Sequence, residues 1–252
     1  MYLKDEFKID DSTKVKAAHI RHYIKYLRER GKYTVVVKEK SKKVNHPDHR
    51  HDFNKQISDT TIANYLRNIK VFFNFLYSER EIKVNPVENI ENIKPNRKQK
   101  VLLTPEELKN VFETFDLTVF HSYRTWVQAR LILDTGIRAS ECCNLVPENI
   151  NFKNKSILIE NPKNKQERYV YFGFKMATDL KRWLQYRDRY SDSEYLFPTI
   201  RGTRLDVRNF ERSLKNIGKK VGVNIHPHLL RNNFAKYYRS EEHTSELQSP
   251  VT

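Results

Sequence analysis

Cysteine is nearly missing from this chain: 252 residues contain two, the adjacent pair Cys142 and Cys143. A disulfide between neighbours on a helix would be strained, so the fold cannot rest on cross-links, and both thiols read as small packing residues of a reducing, cytoplasmic protein. Long apolar runs are missing too. Nothing approaches the roughly 18 residues expected of a membrane-spanning helix, and the text before Lys4 does not read as a secretory signal. Neither a Walker-type phosphate loop nor a carboxylate cluster of metal-binding kind occurs. His46, His49 and His51, with Asp48 and Asp52, come nearest to a ligand set. Their spacing fits no zinc pattern and they read as a solvated loop, so neither metal nor cofactor is expected.

Acidic residues are in deficit. The chain sets 31 Asp and Glu against 47 Lys and Arg, a net charge of +16. Residues 240–252 hold three glutamates and no Lys or Arg, so the body before them carries +19. Such a surplus, with 14 Tyr and 14 Phe, suits a polyanion. Each phosphate neutralised releases counterions and adds affinity that does not depend on base sequence, which makes duplex nucleic acid the leading partner and leaves no membrane partner.

Length and pattern predict two domains. Residues 1–84 read as helical: Val15, Ala18, Ile20, Tyr23, Ile24 and Leu27 recur at helical spacing after a Ser12 or Thr13 cap. Asp59 or Thr60 caps a second helix to about Ser78, with Ile62, Tyr65, Leu66, Ile69, Phe72, Phe73 and Leu76 on one broad apolar face and Lys70 off it. Between them, T-V-V-V (34–37) reads as a short strand and the following K-E-K-S-K-K text as an exposed basic loop. Residues 85–101 carry two prolines, no helical period and a basic end, the marks of a linker.

A second domain, 102–239, opens on Thr104-Pro105-Glu106-Glu107, which writes a capping box with Pro at the first helical position. S-I-L-I-E (156–160) and R-Y-V-Y-F (168–172) read as two strands joined by a turn bearing Lys163 and Lys165. Helices follow over 174–189 and 206–221, the latter with an apolar face opposite Arg208, Arg212, Lys215 and Lys219, and with Arg204 just before it. That basic face is either a solvated helix surface or one that lies along a DNA groove. The fold class is mainly α with a small antiparallel hairpin. From Ser240 the text loses both hydrophobic period and charge balance, and 240–252 reads as a foreign tail.

Two short motifs stand out. In L-D-T-G-I-R-A-S-E (133–141), Gly136 is a natural helix stop and a new helix starts near Ala139. Arg138 is thereby set at a helix-to-helix corner where its guanidinium could hold an anionic oxygen and Glu141 could orient it, unless the corner is merely solvated. In H-L-L-R (228–231), His228 and Arg231 fall one turn apart on one helix face. Taken in order, T-G-x-R-x-S-E, a lysine-bearing hairpin and H-x-L-R resemble the tyrosine recombinase or phage integrase family over roughly residues 59–239.

That resemblance implies a helical, SAM-like core-binding domain, a linker that lets the protein wrap a duplex, and a catalytic integrase domain. It implies site-specific breakage and rejoining of DNA without cofactor, and a tetrameric synapse of the full-length protein. Arg138 and Arg231 would clamp the scissile phosphate and Lys163, counted back from Glu167-Arg168, would protonate the leaving oxygen, with Lys165 next in line. His228 would bond a phosphate oxygen or assist the nucleophile, with Glu141 behind Arg138. Lys70, Lys165, Arg204, Arg208, Arg212 and Lys215 are the further DNA-binding candidates. The family's nucleophile is a tyrosine on a helix beyond H-x-x-R, whereas here no tyrosine lies beyond Tyr238, and the expectation is a truncated chain unable to cut. Arg231-Asn232-Asn233-Phe234 departs from the family's frequent R-H-T-F. A type IB topoisomerase, or a basic DNA-binding protein without catalysis, would share much of this text.

Overall fold

The computed structural model describes residues 2–36, 38–95, 101–160 and 167–246, with residues 237–246 as backbone alone. Contacts divide the chain into two units, Met1–Gln99 and Lys100–Thr252.

The first unit is helical: α1 (Tyr2–Phe7), α2 (Ala17–Glu29), α3 (Glu39–Asn45) and α4 (Asp59–Ser78). Ile62, Leu66 and Phe73 recur every four to seven residues, so α4 buries one stripe, and the stripe packs with Val15, Ile20 and Leu27 from the preceding segment and α2. Ser58, one residue before the expected cap, accepts from the Thr61 amide at 3.4 Å. Its extended backbone and short side chain suit that place, whereas Asp59 is already helical.

Three other expectations for this unit change. Residues 34–36 form no strand; the bridge in this region joins Gly31 to Gln56. The basic text after it folds as α3, because Glu39 to Asn45 contains no helix breaker. Val87 and Ile90, inside the stretch read as linker, are 2% and 6% exposed and belong to the core beside Leu66 and Phe73. Spaced by three among asparagines, they show too few apolar residues to register as a period. Lys70 secures this turn, its ammonium donating to the Ile90 carbonyl and to Asn92 Oδ1 at 2.9 Å.

The second unit contains α5 (Pro105–Glu113), α6 (Phe120–Thr135), α7 (Ala139–Asn144), α8 (Phe174–Arg187), α9 (Val207–Lys220) and α10 (Pro227–Glu246). Three short strands, β1 (Ile150–Asn151), β2 (Ser156–Ile159) and β3 (Arg168–Tyr171), form an antiparallel sheet in chain order with Ile157 opposite Val170. The capping box at α5 is closed: Thr104 N–H donates to Glu107 Oε2 at 2.7 Å and Glu107 N–H to Thr104 Oγ1 at 3.1 Å.

α6 is the central helix. Val127, Ala129, Leu131 and Ile132 are fully enclosed, and α8, α9 and α10 pack around it. Trp183 on α8 is wholly buried, with its indole N–H satisfied by the Leu196 carbonyl at 2.8 Å. Cys142 and Cys143 are free thiols in the same core.

α10 is tied to the start of the unit by one side chain. Asn233, wholly buried, donates Nδ2–H to the Leu103 carbonyl at 2.7 Å and accepts the Leu103 amide on Oδ1 at 3.3 Å. An apolar residue in its place leaves a buried N–H and C=O unpaired. Asn233→Ala should therefore destabilise the second unit by about 2–3 kcal/mol in urea denaturation; an unchanged midpoint would show that water replaces the amide.

Candidate active site

The site is built at the end of α6. Thr135 closes the helix on itself, its Oγ1 donating to the Leu131 carbonyl at 2.6 Å, and Gly136 turns the chain in the left-handed region at φ 65°. A Cβ on Gly136 would lie 2.3 Å from Phe234 Cδ1, so glycine is required both by conformation and by the close approach of α10. Ile137 is then fully buried and Arg138 emerges at the first turn of α7.

Glu141 organises the charged groups around this corner. Its Oε2 accepts the Arg138 amide at 2.9 Å and its Oε1 accepts Arg138 Nη1 at 2.8 Å. The amide is thus already occupied, and the corner offers an anion the guanidinium rather than a row of open N–H groups. From β3, Arg168 grips the same carboxylate through both nitrogens, at 2.7 and 3.1 Å. Burial alone would raise the Glu141 pKa, but the hydrogen bonds from Arg168 and Arg138 outweigh it and bring the group down to about 2.

Arg231 comes to this cluster from α10. Burial first, then the like charge of Arg138, lowers its pKa, while Glu141 opposes the shift; an arginine still keeps its proton. Its Nη1 is buried with no hydrogen-bond partner among the described residues. Three guanidiniums around one carboxylate leave two positive charges uncompensated. His228 lies one turn before Arg231 and is exposed. Its neighbour His226 caps α10, Nδ1 accepting the Leu229 amide at 3.2 Å.

A polar cavity of about 520 Å³ opens beside the cluster, lined by Arg138, Glu141, Asn144, Glu160, Tyr195 and Arg204 among others. Arg204 donates to Asn144 Oδ1 at 2.8 Å. Arg208, Arg212 and Lys215 stand exposed on α9, opposite buried Phe210 and Leu214. Lys70 lies in the first unit, half-buried and engaged by Ile90 and Asn92. Lys163 and Lys165 lie outside the described residues.

Arg168 is the site residue that sequence reading missed. It was visible only as part of the Glu167-Arg168 text before the second strand, and its partner is 27 positions away. The structure also brings the donor atoms of His46, Asp48 and His49 within 4.8 Å of one another, all three exposed. Lys38, Lys40, Lys42, Lys43 and Arg50 crowd the same segment, which opposes a cation there.

Residues 90–249 match the profile described as the phage integrase family. The chain belongs to this family. It is 33% identical over 193 residues to tyrosine recombinase XerC of Thermodesulfovibrio yellowstonii, covering 73% of this chain and 64% of that protein. Against XerC of Oceanobacillus iheyensis the identity is 29% over 197 residues, covering 75% and 64%. The chain thus spans about 64% of the length of these curated relatives.

Among solved structures, the Tn1549 transposon integrase in complex with transposon right end DNA superposes with a TM-score of 0.68 at 16% identity, over 94% of this chain and 77% of that one. XerH site-specific recombinase bound to palindromic difH substrate gives 0.67 at 19%, over 96% and 64%. At these identities the likeness shows the fold: mainly helical with a small antiparallel sheet, as in integrases. Neither the topoisomerase reading nor the non-catalytic one is favoured by these matches. No helix of the described residues is long and apolar enough to cross a membrane.

The Glu141 geometry sets a pH dependence. Its pKa is about 2 folded against an ordinary 4.5, so its contribution is fully present above pH 4.5 and is lost as pH falls through the folded value. With the side chain only 7% exposed, the contribution is on the order of 3 kcal/mol at neutral pH. The stability difference between wild type and Glu141→Gln, from urea curves, should shrink as pH falls from 5 to about 2.5. A pH-independent difference would mean that the carboxylate charge adds nothing.

Proposed function

We propose that the protein is a site-specific tyrosine recombinase that binds duplex DNA in the cytoplasm and clamps its scissile phosphate, with breakage and rejoining, without metal or cofactor, depending on the family's nucleophilic tyrosine, for which no candidate lies beyond Tyr238. In this reading the second unit carries the catalytic cluster, and the helical first unit is a core-binding module joined to it by a basic linker. Self-association into a synapse of four protomers belongs to the same proposal. What supports it most is the buried, unpartnered Nη1 of Arg231 beside Arg138. Arg30, Arg124 and Arg130 each bury an unpartnered Nε as well, so what sets Arg231 apart is the like charge of Arg138 and Arg168 around it, a surplus that favours an anion arriving from outside.

A scissile phosphate meets that requirement. Arg138 and Arg231 bond its two non-bridging oxygens and offset the charge that grows there in the transition state. His228, on the exposed side of the same helix turn, donates to a phosphate oxygen or takes the nucleophile's proton, and Lys163 protonates the leaving 5′-oxygen. A nucleophile that stays covalently joined to phosphorus conserves the bond energy, so rejoining requires no ATP. Arg204 beside Arg138, Arg208, Arg212 and Lys215 on α9, and Lys165 on the hairpin contact neighbouring phosphates. Lys70 would contribute only through the donor its two hydrogen bonds leave over.

Two measurements test this. If six to ten phosphates are contacted, duplex affinity should fall roughly 10³ to 10⁵-fold between 50 and 200 mM salt; a flat salt response rules out this mode of binding. In strand-cleavage assays on a chain completed with a C-terminal segment that carries the family's nucleophilic tyrosine, Arg138→Ala and Arg231→Ala should each lower the rate by about 10² to 10³-fold while duplex binding changes little. Normal cleavage by either variant sinks the assignment.

A further inference from the structure

Glu141 presents a problem for the clamp. A carboxylate 2.8 Å from Arg138 Nη1 competes with a phosphate oxygen for the same guanidinium. It is 7% exposed, so water does little to screen it, whereas the Arg138 side chain is 40% exposed and open to a ligand. Left alone with Arg138, the carboxylate would take the fork that the clamp requires.

Arg168 prevents this. A carboxylate has about four lone-pair positions, and four donors fill them here: the amide and Nη1 of Arg138, and Nη1 and Nη2 of Arg168. Half of its hydrogen bonds, and the stronger bidentate pair, go to Arg168, whose planar fork suits a carboxylate. Arg168 is the first residue of β3, opposite Ile159, so the sheet fixes it.

We propose that Arg168 is a positioning residue that neutralises Glu141 and so keeps the guanidinium of Arg138 available to the phosphate. Glu141 can then hold Arg138 by its backbone and one nitrogen without cancelling its charge. This inference rests on reading Arg138 and Arg231 as a phosphate clamp, and it goes further by assigning Arg168 an electrostatic task rather than a share in the chemistry.

A titration with inorganic phosphate at low ionic strength, followed by calorimetry, tests it. Wild type should bind and Arg138→Ala should not. Arg168→Ala should bind roughly tenfold more weakly, the effect of one uncompensated charge a few ångströms from the ligand. Arg168→Ala/Glu141→Gln should return toward wild type, because the charge that Arg168 masked is gone and the glutamine carbonyl still accepts the Arg138 amide. Arg168→Lys, which keeps the charge but loses the fork, should stay close to wild type.

A role as a mere strut between β3 and α7 predicts the opposite for the last two variants. If the double variant binds as weakly as Arg168→Ala, or Arg168→Lys does, the inference is overturned while the clamp stands. Wild-type affinity in Arg168→Ala overturns it as well. No phosphate binding by wild type, or none lost in Arg138→Ala, removes the clamp and this inference with it. Should Arg168→Ala fail to fold, Arg168→Lys and Glu141→Gln decide, the latter binding at least as tightly as wild type.

Discussion

One carboxylate holds the second unit's charged centre together. Guanidiniums a few ångströms apart repel one another by on the order of 3–4 kcal/mol at an effective dielectric of 20, and Arg138, Arg168 and Arg231 converge from three separate elements. Glu141, nearly enclosed, bonds two of them directly and is felt by the third. Removing its arginine partners would leave the charge of the nearly enclosed Glu141 uncompensated in a poorly solvated place, which costs more than the pairs themselves contribute. The sheet, the α6–α7 corner and α10 therefore meet at a point whose electrostatic balance none of them supplies alone.

The rest of the unit keeps that point in register. Gly136 lets Phe234 approach within a distance that any side chain would block, which brings the turns bearing Arg138 and Arg231 together. Asn233, next to Phe234, bonds the backbone of Leu103 in both directions, so α10 is fastened on two consecutive residues to different parts of the unit. The departure from R-H-T-F at these positions has a physical content: a buried amide can satisfy a backbone N–H and C=O at once.

The range of each interaction decided whether it was legible in the sequence. The Thr104–Glu107 box, the Gly136 stop, the Arg138–Glu141 pair and the two strands at 156–160 and 168–172 are local features, set within a few residues, and the structure contains each of them. Arg168 was hidden because its value depends on a strand register that brings it to a helix 27 positions earlier. Val87 and Ile90 were hidden among prolines and asparagines, since burial there depends on α4 and not on any period of their own. Lys70 read as a DNA-binding candidate because nothing local shows that the Ile90 carbonyl lies within its reach.

Under the phosphate-clamp proposal, the cluster is a compromise between stability and function. A second carboxylate near Arg231 would satisfy its buried Nη1 and remove the repulsion from Arg138, and by the ordinary rules of polar burial the folded unit would gain. It would also occupy the position that an arriving phosphate needs. The chain instead leaves Arg231 unsatisfied and lets the surrounding packing of α6 and α10 and the Asn233 bridge hold it in place. Under that proposal the surplus positive charge of the cluster, with a single carboxylate among three guanidiniums, states which kind of ligand it takes.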